Sequence, residues 1–311
     1  MKPSVQLIDC NYLQPQFEGA YLMTEGSRAA FIENNTAHAV PLLLRALEDR
    51  QIKPSQVDYL IITHVHLDHA GGSSRLMNAC PSAVLLAHPR AVPHLIDPSR
   101  LVASAKKVYG EKRFADLYGA IEAIPAERVR AVEDGETLRW AGRDLHFFHT
   151  RGHANHHFCV YDPASRGVFT GDSFGLAYPG MQKRGLFIFP STSPTDFNAA
   201  EAIASVKKIR DCGADRAYLT HFGKIDDLPE AARQLETHLG FCADLLERAQ
   251  NSGLPHEEWR RYCLNEFEVY FKTLCRKTGW IDYREISDLM KLDLEVNAMG
   301  IAYAAQKSLA K

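Results

Sequence analysis

Hydrophobic and polar positions alternate along the first two thirds of the chain in a way that predicts short strands mixed with helices. Apolar runs bounded by Asn, Gly and Ser turn residues predict strands at 5–9, 20–24, 29–33, 57–63, 83–88, 144–150, 157–161, 167–170 and 217–220. The pattern therefore predicts an α/β domain over residues 1–226.

Apolar residues at helical spacing predict the helices between and after these strands. Thr36 is the expected N-cap of a helix that ends at Arg50, and 196–212 is amphipathic. The segment at about 89–122 is helical but interrupted by prolines, which predicts an insertion into the domain. Residues 227–311 are almost entirely helical in pattern, so we expect a helical C-terminal extension.

Composition and charge narrow the classes of partner. The 311 residues carry a formal net charge of −2 with a pI near 6.7, so no basic field attracts nucleic acid or an anionic membrane. We find no secretory signal and no apolar run of the ~18 residues that a transmembrane helix needs. The seven widely spaced cysteines are typical of reduced thiols. We expect a cytoplasmic protein that acts on a small molecule.

The densest cluster of potential metal ligands directly follows the predicted strand at 57–63. His64, His66, Asp68 and His69 fall within six residues, and two glycines after them allow the chain to bend sharply. Imidazole nitrogen and carboxylate oxygen are ligands that zinc, iron and manganese accept. Because the first two histidines precede the expected turn and the other two residues follow it, one loop can serve two adjacent ions.

Three further candidate ligands lie where later predicted strands end. His153, Asp172 and His221 each follow a strand and stand near a glycine. A single histidine is more often a surface or core residue, and Asp in a Gly-Asp-Ser turn often stabilises the turn alone. Their order after the motif favours the metal-site interpretation. His156 and His157 come soon afterwards, and one of them is a candidate neighbour of the site.

These seven residues, in this order, resemble the pattern of the metallo-β-lactamase superfamily, in which HxHxDH is followed by a His, an Asp and a His at the ends of later strands. The resemblance covers roughly residues 5 to 225. It implies an αββα sandwich with metal ions at one edge of two packed sheets. The sequence departs from many members by having Arg151 in place of a proline before Gly152 and His153, and by its long helical segment after His221.

Carried over by position, the resemblance implies two metal sites. The first ion would be bound by His64, His66 and His153. The second ion would be bound by Asp68, His69 and His221, and Asp172 would bridge the two ions. Asp58, at the start of the strand before the motif, would orient the ligand loop by hydrogen bonds. We expect two divalent ions, zinc first, although the same ligand types suit iron and manganese.

Two such ions imply hydrolysis as the reaction. A water held between two divalent cations ionises near neutral pH, whereas the pKa of bulk water is ~15.7. The bridging hydroxide would attack the carbonyl of a small ester, thioester or lactone. Asp68 and Asp172 are the candidate catalytic carboxylates, with Asp68 placed to orient the hydroxide and to carry its proton.

Within the superfamily, the resemblance favours the lactonase-like and glyoxalase-II-like branch. The bridging Asp172 argues against a secreted β-lactamase, and His66 argues against a flavodiiron protein. The slightly negative net charge argues against a tRNA-type nuclease. Two alternatives remain open. One is a mononuclear iron persulfide dioxygenase, and the other is a metal-binding regulatory protein without turnover.

The loop at 173–194 is unusually aromatic, and a loop of this length inside a compact domain is usually functional. Its candidate substrate-binding residues are Phe174, Tyr178, Met181 and Phe187. They either line a substrate pocket or pack against the C-terminal helices, and the Tyr178 hydroxyl could also assist an oxyanion. The C-terminal helices are expected to serve substrate binding or to form a homodimer.

Overall fold

A computed structural model describes residues 4–192, 195–278 and 283–309. The chain divides into two compact units that interleave along the sequence. The first contains Met1–His149, His156–Gly171 and Ala214–Lys224, and the second contains Thr150–Asn155, Asp172–Gly213 and Ile225–Lys311. The domain boundary predicted between residues 226 and 227 stays a prediction.

Two six-stranded mixed sheets form the framework of the first unit in the described residues. The first sheet contains, side by side in chain order, β1 (Ser4–Asp9), β2 (Gly19–Glu25), β3 (Arg28–Ile32), β4 (Val57–Ile61), β5 (Val84–Ala87) and β6 (Val129–Ala131). The second contains β7 (Thr137–Trp140), β8 (Arg143–His149), β9 (Phe158–Asp162), β10 (Gly167–Gly171), β11 (Arg216–Leu219) and β12 (Gly223–Ile225), again in chain order. Strands β3 to β6 are parallel, as are β10 and β11.

Alternation along the strands decides which side chains form the core of this unit. Tyr21, Ile61, Phe147 and Phe169 belong to one buried cluster that draws on both sheets. The opposite face of the first sheet packs against helices, because alternate strand residues join a second buried cluster with residues of α1 (Val40–Glu48) and α3 (Ser73–Ala79). Because successive side chains of a strand point to opposite faces of the sheet, the first sheet packs against the second sheet on one face and against helices on the other.

The first helix of this unit begins at a different residue from the one that the sequence pattern predicts. The N-cap of α1 is Ala39 and its side chain makes no capping hydrogen bond, so the prediction of Thr36 as the cap is wrong. Pro41 is the reason, since proline lacks an N–H and is favoured in the first turn of a helix. The carbonyl of Thr36 instead accepts the N–H of Ala39 at 3.0 Å, in a turn before the helix.

The proposed insertion is helical. It contains α4 (Val92–Ile96), α5 (Ser99–Tyr109) and α6 (Glu111–Tyr118), whereas the four-residue α2 (Leu67–Ala70) inside the ligand loop was not anticipated. The sequence pattern also missed β6, β7 and β12. Strands of three or four residues offer too few positions for alternation to be recognised.

The second unit is helical in its described part. It contains α7 (Ala199–Arg210), α8 (Leu228–Gln250), α9 (Trp259–Thr278), α10 (Tyr283–Leu289) and α11 (Lys291–Leu309). The segment predicted to be helical at 227–311 thus contains four helices in its described part, and its last two residues lie outside the described residues. No helix among the described residues has both the length and the apolar character needed to cross a membrane.

Candidate metal centre

The HxHxDH motif lies directly after β4, a strand that has a parallel neighbour on each side. Strand β4 pairs in parallel with β3 and with β5, and the carboxyl ends of parallel strands are where side chains converge on a common crevice. His66 is the extended N-cap residue of α2, whose first turn contains Asp68 and His69. The turn therefore separates the two pairs of motif residues as the sequence predicted.

His64 and His66 lie close enough to bind one ion together. His64 is fully buried, and its Nε2 is 2.9 Å from Nδ1 of His66. Two imidazole nitrogens bound to a tetrahedral ion at ~2.1 Å would be about 3.4 Å apart. The two rings, whose centroids are 4.4 Å apart, therefore suit neighbouring positions on a zinc-type ion.

Glu33, at the end of β3, orients the next motif histidine. Oε1 of Glu33 is 3.3 Å from Nδ1 of His69, and both side chains are buried. The hydroxyl of Thr63 donates to Oε1 of the same carboxylate, and the Thr63 N–H donates to Oε2 at 3.4 Å. A histidine ligand commonly has its second nitrogen held by a carboxylate in this way. The sequence analysis did not identify Glu33 as a residue of the site, although Glu33 begins a run of polar residues directly after an apolar strand.

His221 joins the same cluster from the far end of the sequence. It follows β11, its Nδ1 is 3.1 Å from the carbonyl oxygen of Phe17, and its ring centroid is 5.4 Å from that of His69. Among the described residues of the first unit, Glu18, His69 and His221 each bring one potential ligand atom to within 4.8 Å of the others.

A second group of the same kind is formed by Glu33, His64 and His69. The half-buried Asp68 is in neither of these two groups. The first unit therefore contains groups of side chains that can hold divalent metal ions, with nitrogen and oxygen donors of the kind that zinc accepts. The predicted division of the ligands between two ions stays a prediction.

The carboxylate of Asp58 contacts residues of two other strands, and the loop-orienting role predicted for it stays a prediction. Oδ2 of Asp58 accepts the Trp140 Nε1–H at 2.7 Å, and both carboxylate oxygens accept hydrogen bonds from Arg28. These partners lie on β7 and β3. Asp58 is the second residue of β4, so these hydrogen bonds tie β4 to both of the other strands.

His156 and His157 lie beside the ligand loop within the first unit. Nδ1 of His156 accepts the Val65 N–H at 3.4 Å, and its ring stacks 6.2 Å from that of His64. His157 is fully buried with its ring centroid 4.9 Å from that of His64. Both candidates are therefore neighbours of the motif.

His153 and Asp172 come together in the second unit. Nε2 of His153 is 3.4 Å from Oδ2 of Asp172, and both side chains are buried. Gly152 permits the approach of the chain, because its φ is +117° and a Cβ there would meet the backbone of Ala202 at 2.2 Å. The carbonyl of Ser191 lies 3.2 Å from Nδ1 of His153.

The four candidate substrate residues are buried, which favours packing over the lining of an open pocket. Phe187 contacts the rings of His238 on α8 and Phe271 on α9, at centroid distances of 6.0 and 6.2 Å. The hydroxyl of Tyr178 donates to Oδ1 of Asp293 at 3.2 Å. Burial raises the pKa of Asp293 to about 7. A substrate contact by these residues stays a prediction, and the last two residues of the loop at 173–194 lie outside the described residues.

Comparison with known proteins defines the family. The model of the Metallo-beta-lactamase superfamily matches residues 24–221, which is more than half of the chain, and the chain belongs to this superfamily. A solved structure, the metallo-beta-lactamase family protein TTHA1429 from Thermus thermophilus, is similar with a TM-score of 0.64 at 17% identity, covering 98% of this chain and 93% of that one. The predicted αββα fold class with its added helices is confirmed.

Three curated relatives illustrate the range of matches. The metallo-beta-lactamase fold-containing protein ST1585 of Sulfurisphaera tokodaii is 30% identical over 45% of this chain and 51% of its own length. An atrochrysone carboxyl ACP thioesterase of Aspergillus fumigatus is 22% identical over 74% of this chain and 59% of its own length. A hydroxyacylglutathione hydrolase of Aeromonas hydrophila is 25% identical over 70% of this chain and 69% of its own. The chain thus spans only about half to two thirds of these relatives.

Proposed function

We propose that the protein is a dinuclear metal-dependent hydrolase that cleaves a small thioester, ester or lactone. The observation that carries the proposal is the set of clustered imidazoles at the end of β4. His64, His66 and His69 come from one loop, and His221 joins them from a strand end about 150 residues later. Clustered histidines with carboxylate neighbours, most of them buried, are typical of metal sites.

Neighbouring residues of the chain orient two of the proposed histidine ligands. Glu33 holds Nδ1 of His69 and the Phe17 carbonyl holds Nδ1 of His221, so each ring offers Nε2 to an ion. Divalent ions bound here would act as Lewis acids that lower the pKa of water and polarise a carbonyl group. We propose zinc for both ions, with the seven ligands in the order that the sequence predicts.

The half-buried Asp68 is the proposed proton carrier. Its carboxylate lies in the first turn of α2, one residue before His69, and it is more exposed than the buried His64 and His69. A carboxylate with access to solvent can take a proton from an attacking water and release it again. Asp172, next to His153, is the second proposed catalytic carboxylate.

A thioester is the favoured bond among the three candidates. Two of the relatives are named as an ACP thioesterase and a hydroxyacylglutathione hydrolase, and both names fit cleavage of an acyl group from sulfur. The identity of the acyl group and of its carrier is open to experiment. The net charge of −2 further favours a small-molecule substrate over a nucleic acid.

The proposal is tested by elemental analysis of the native protein together with assays on thioesters, lactones and esters. We expect about two zinc ions per chain and turnover that a chelator abolishes. Asp68→Ala and Asp172→Ala should each lower kcat/KM by at least about 100-fold, the usual contribution of a proton-transfer group. Glu127→Gln, a change at an exposed site, should retain the wild-type rate.

Three outcomes would contradict this proposal. Unchanged turnover in Asp68→Ala or Asp172→Ala would remove the proposed roles of the carboxylates. One iron per chain with oxygen consumption on a persulfide would make the protein a dioxygenase. Metal binding without turnover on any substrate of the panel would indicate a regulatory protein.

A further inference from the structure

Glu18 is a fully buried acidic residue whose carboxylate faces two candidate metal ligands. It directly precedes β2 and is 0% exposed. One of its carboxylate oxygens, one nitrogen of His69 and one nitrogen of His221 all lie within 4.8 Å of one another. The set of ligands predicted from the sequence does not include Glu18.

Backbone hydrogen bonds fix the position of Glu18 beside His221. The N–H of Gly19 donates to the carbonyl of Thr220 at 2.9 Å, so the residues before β2 lie next to the residues that follow β11. The carbonyl of Glu18 accepts the Cys10 N–H at 3.0 Å. A Cβ at position 19 would lie 2.6 Å from the Leu7 side chain, so glycine allows this close approach. The main chain at Glu18 is therefore fixed next to the residues that follow β11.

In His69 and in His221, one ring nitrogen faces a neighbouring oxygen atom, and the other nitrogen can bind an ion. Nδ1 of His69 faces Glu33, and Nδ1 of His221 faces the Phe17 carbonyl. Nε2 is therefore the nitrogen that each ring offers to an ion. A buried carboxylate needs positive charge or hydrogen bonds to offset its lost hydration. A divalent cation bound jointly with both rings supplies that charge.

We propose that Glu18 is a direct ligand of the ion held by His69 and His221. The site takes a divalent transition-metal ion through one carboxylate oxygen and two imidazole nitrogens, a donor set that zinc and cobalt both accept. Glu18 anchors the ion on its buried side, which leaves the more exposed Asp68 for proton transfer. This inference rests on the proposed function, because it adds a ligand to one of the two proposed metal positions.

The test is metal binding by the full-length chain after removal of its metals with a chelator. Wild type, Glu18→Gln and Glu18→Asp are titrated with Co²⁺ and with Zn²⁺, and ions per chain are counted by elemental analysis. Glu18→Gln should bind one of the two ions at least about tenfold more weakly and should change the visible absorption of the Co²⁺ protein. Glu18→Asp, which keeps the charge on a shorter side chain, should recover part of the affinity.

Glu127→Gln is the matched control, because it makes the same carboxylate-to-amide change at an exposed site and should leave both titrations unchanged. Thermal unfolding of each metal-free variant checks that the fold is intact. Wild-type affinity for both ions and an unaltered Co²⁺ spectrum in a folded Glu18→Gln would overturn this inference alone. Failure of the wild type to bind any ion would overturn the proposed function as well.

Discussion

In three histidines at or beside the ligand cluster, one ring nitrogen lies next to an identifiable neighbour. Glu33 faces Nδ1 of His69, the Phe17 carbonyl faces Nδ1 of His221, and the Val65 N–H donates to Nδ1 of His156. Such contacts decide which nitrogen carries a proton and which one offers a lone pair. The chemistry of the cluster therefore depends on residues that are not ligands as much as on the ligands.

Glu33→Gln should weaken metal binding by about 10- to 100-fold, which is the usual effect of losing a carboxylate that holds a histidine ligand. The amide keeps the size of the side chain but removes the charge that stabilises the Nδ1–H of His69. Competition with a chelator of known affinity measures the change. Glu127→Gln, an exposed site, is the control, and equal affinities in the two variants would contradict the positioning role.

Helices α8 and α9 enclose a histidine that titrates far from its usual range. His238 is buried, its Nδ1 is 2.8 Å from the hydroxyl oxygen of Tyr270, and its ring centroid is 5.0 Å from that of Phe189. Burial, helped by the charge of Arg233, lowers the pKa of His238 to about 4. The helices thus bury the neutral ring, and protonation works against their packing.

Acid should destabilise the protein partly through His238. The unfolded chain binds a proton at this ring near pH 6.5, whereas the folded chain does so only near pH 4, so the stabilisation present above pH 6.5 is lost as the pH falls through this window. The free energy of unfolding should drop by about 2 to 3 kcal/mol from this group between pH 7.5 and 4.5.

Urea denaturation at the two pH values measures this loss. His238→Gln should show a smaller drop than wild type, because the amide does not titrate. His94→Gln on α4 serves as the control and should keep the wild-type drop. An identical pH dependence in wild type and His238→Gln would argue that other groups cause the acid sensitivity.

Strand and helix assignments from the sequence hold for the longer elements. Strands β2, β4 and β8 lie within about two residues of the predicted positions, because apolar runs of five or more residues bounded by turn residues are recognisable in a sequence. The N-cap predicted at Thr36 was wrong for a local reason, namely a proline in the first turn of the helix. A homodimer through the C-terminal helices stays a prediction.

At the scale of the whole molecule, bound metal should stabilise the fold. An ion that binds only the folded chain adds about 4 kcal/mol when its concentration is 1,000 times its dissociation constant. Removing the ions with a chelator should therefore lower the thermal midpoint by at least about 5 °C, and added zinc should restore it.

Differential scanning calorimetry with and without chelator measures this shift. The variant His64→Ala/His66→Ala should respond less to the chelator, because it lacks two of the proposed ligands. If the wild-type midpoint is the same in chelator and in zinc, the folded chain binds no stabilising ion under those conditions.

The sequence by itself determined the ligand types, their order and the alternation of strands and helices. These features can be recognised from short segments of the chain, because the spacing of apolar residues in a strand or helix and the HxHxDH motif are both local patterns. Tertiary structure decided which side chains surround the ligands. The Phe17 carbonyl and His221 are 204 residues apart, and the Glu33 and Thr63 side chains meet from two paired strands. Glu18 and Glu33 became recognisable only because strand pairing fixes contacts that no local pattern records.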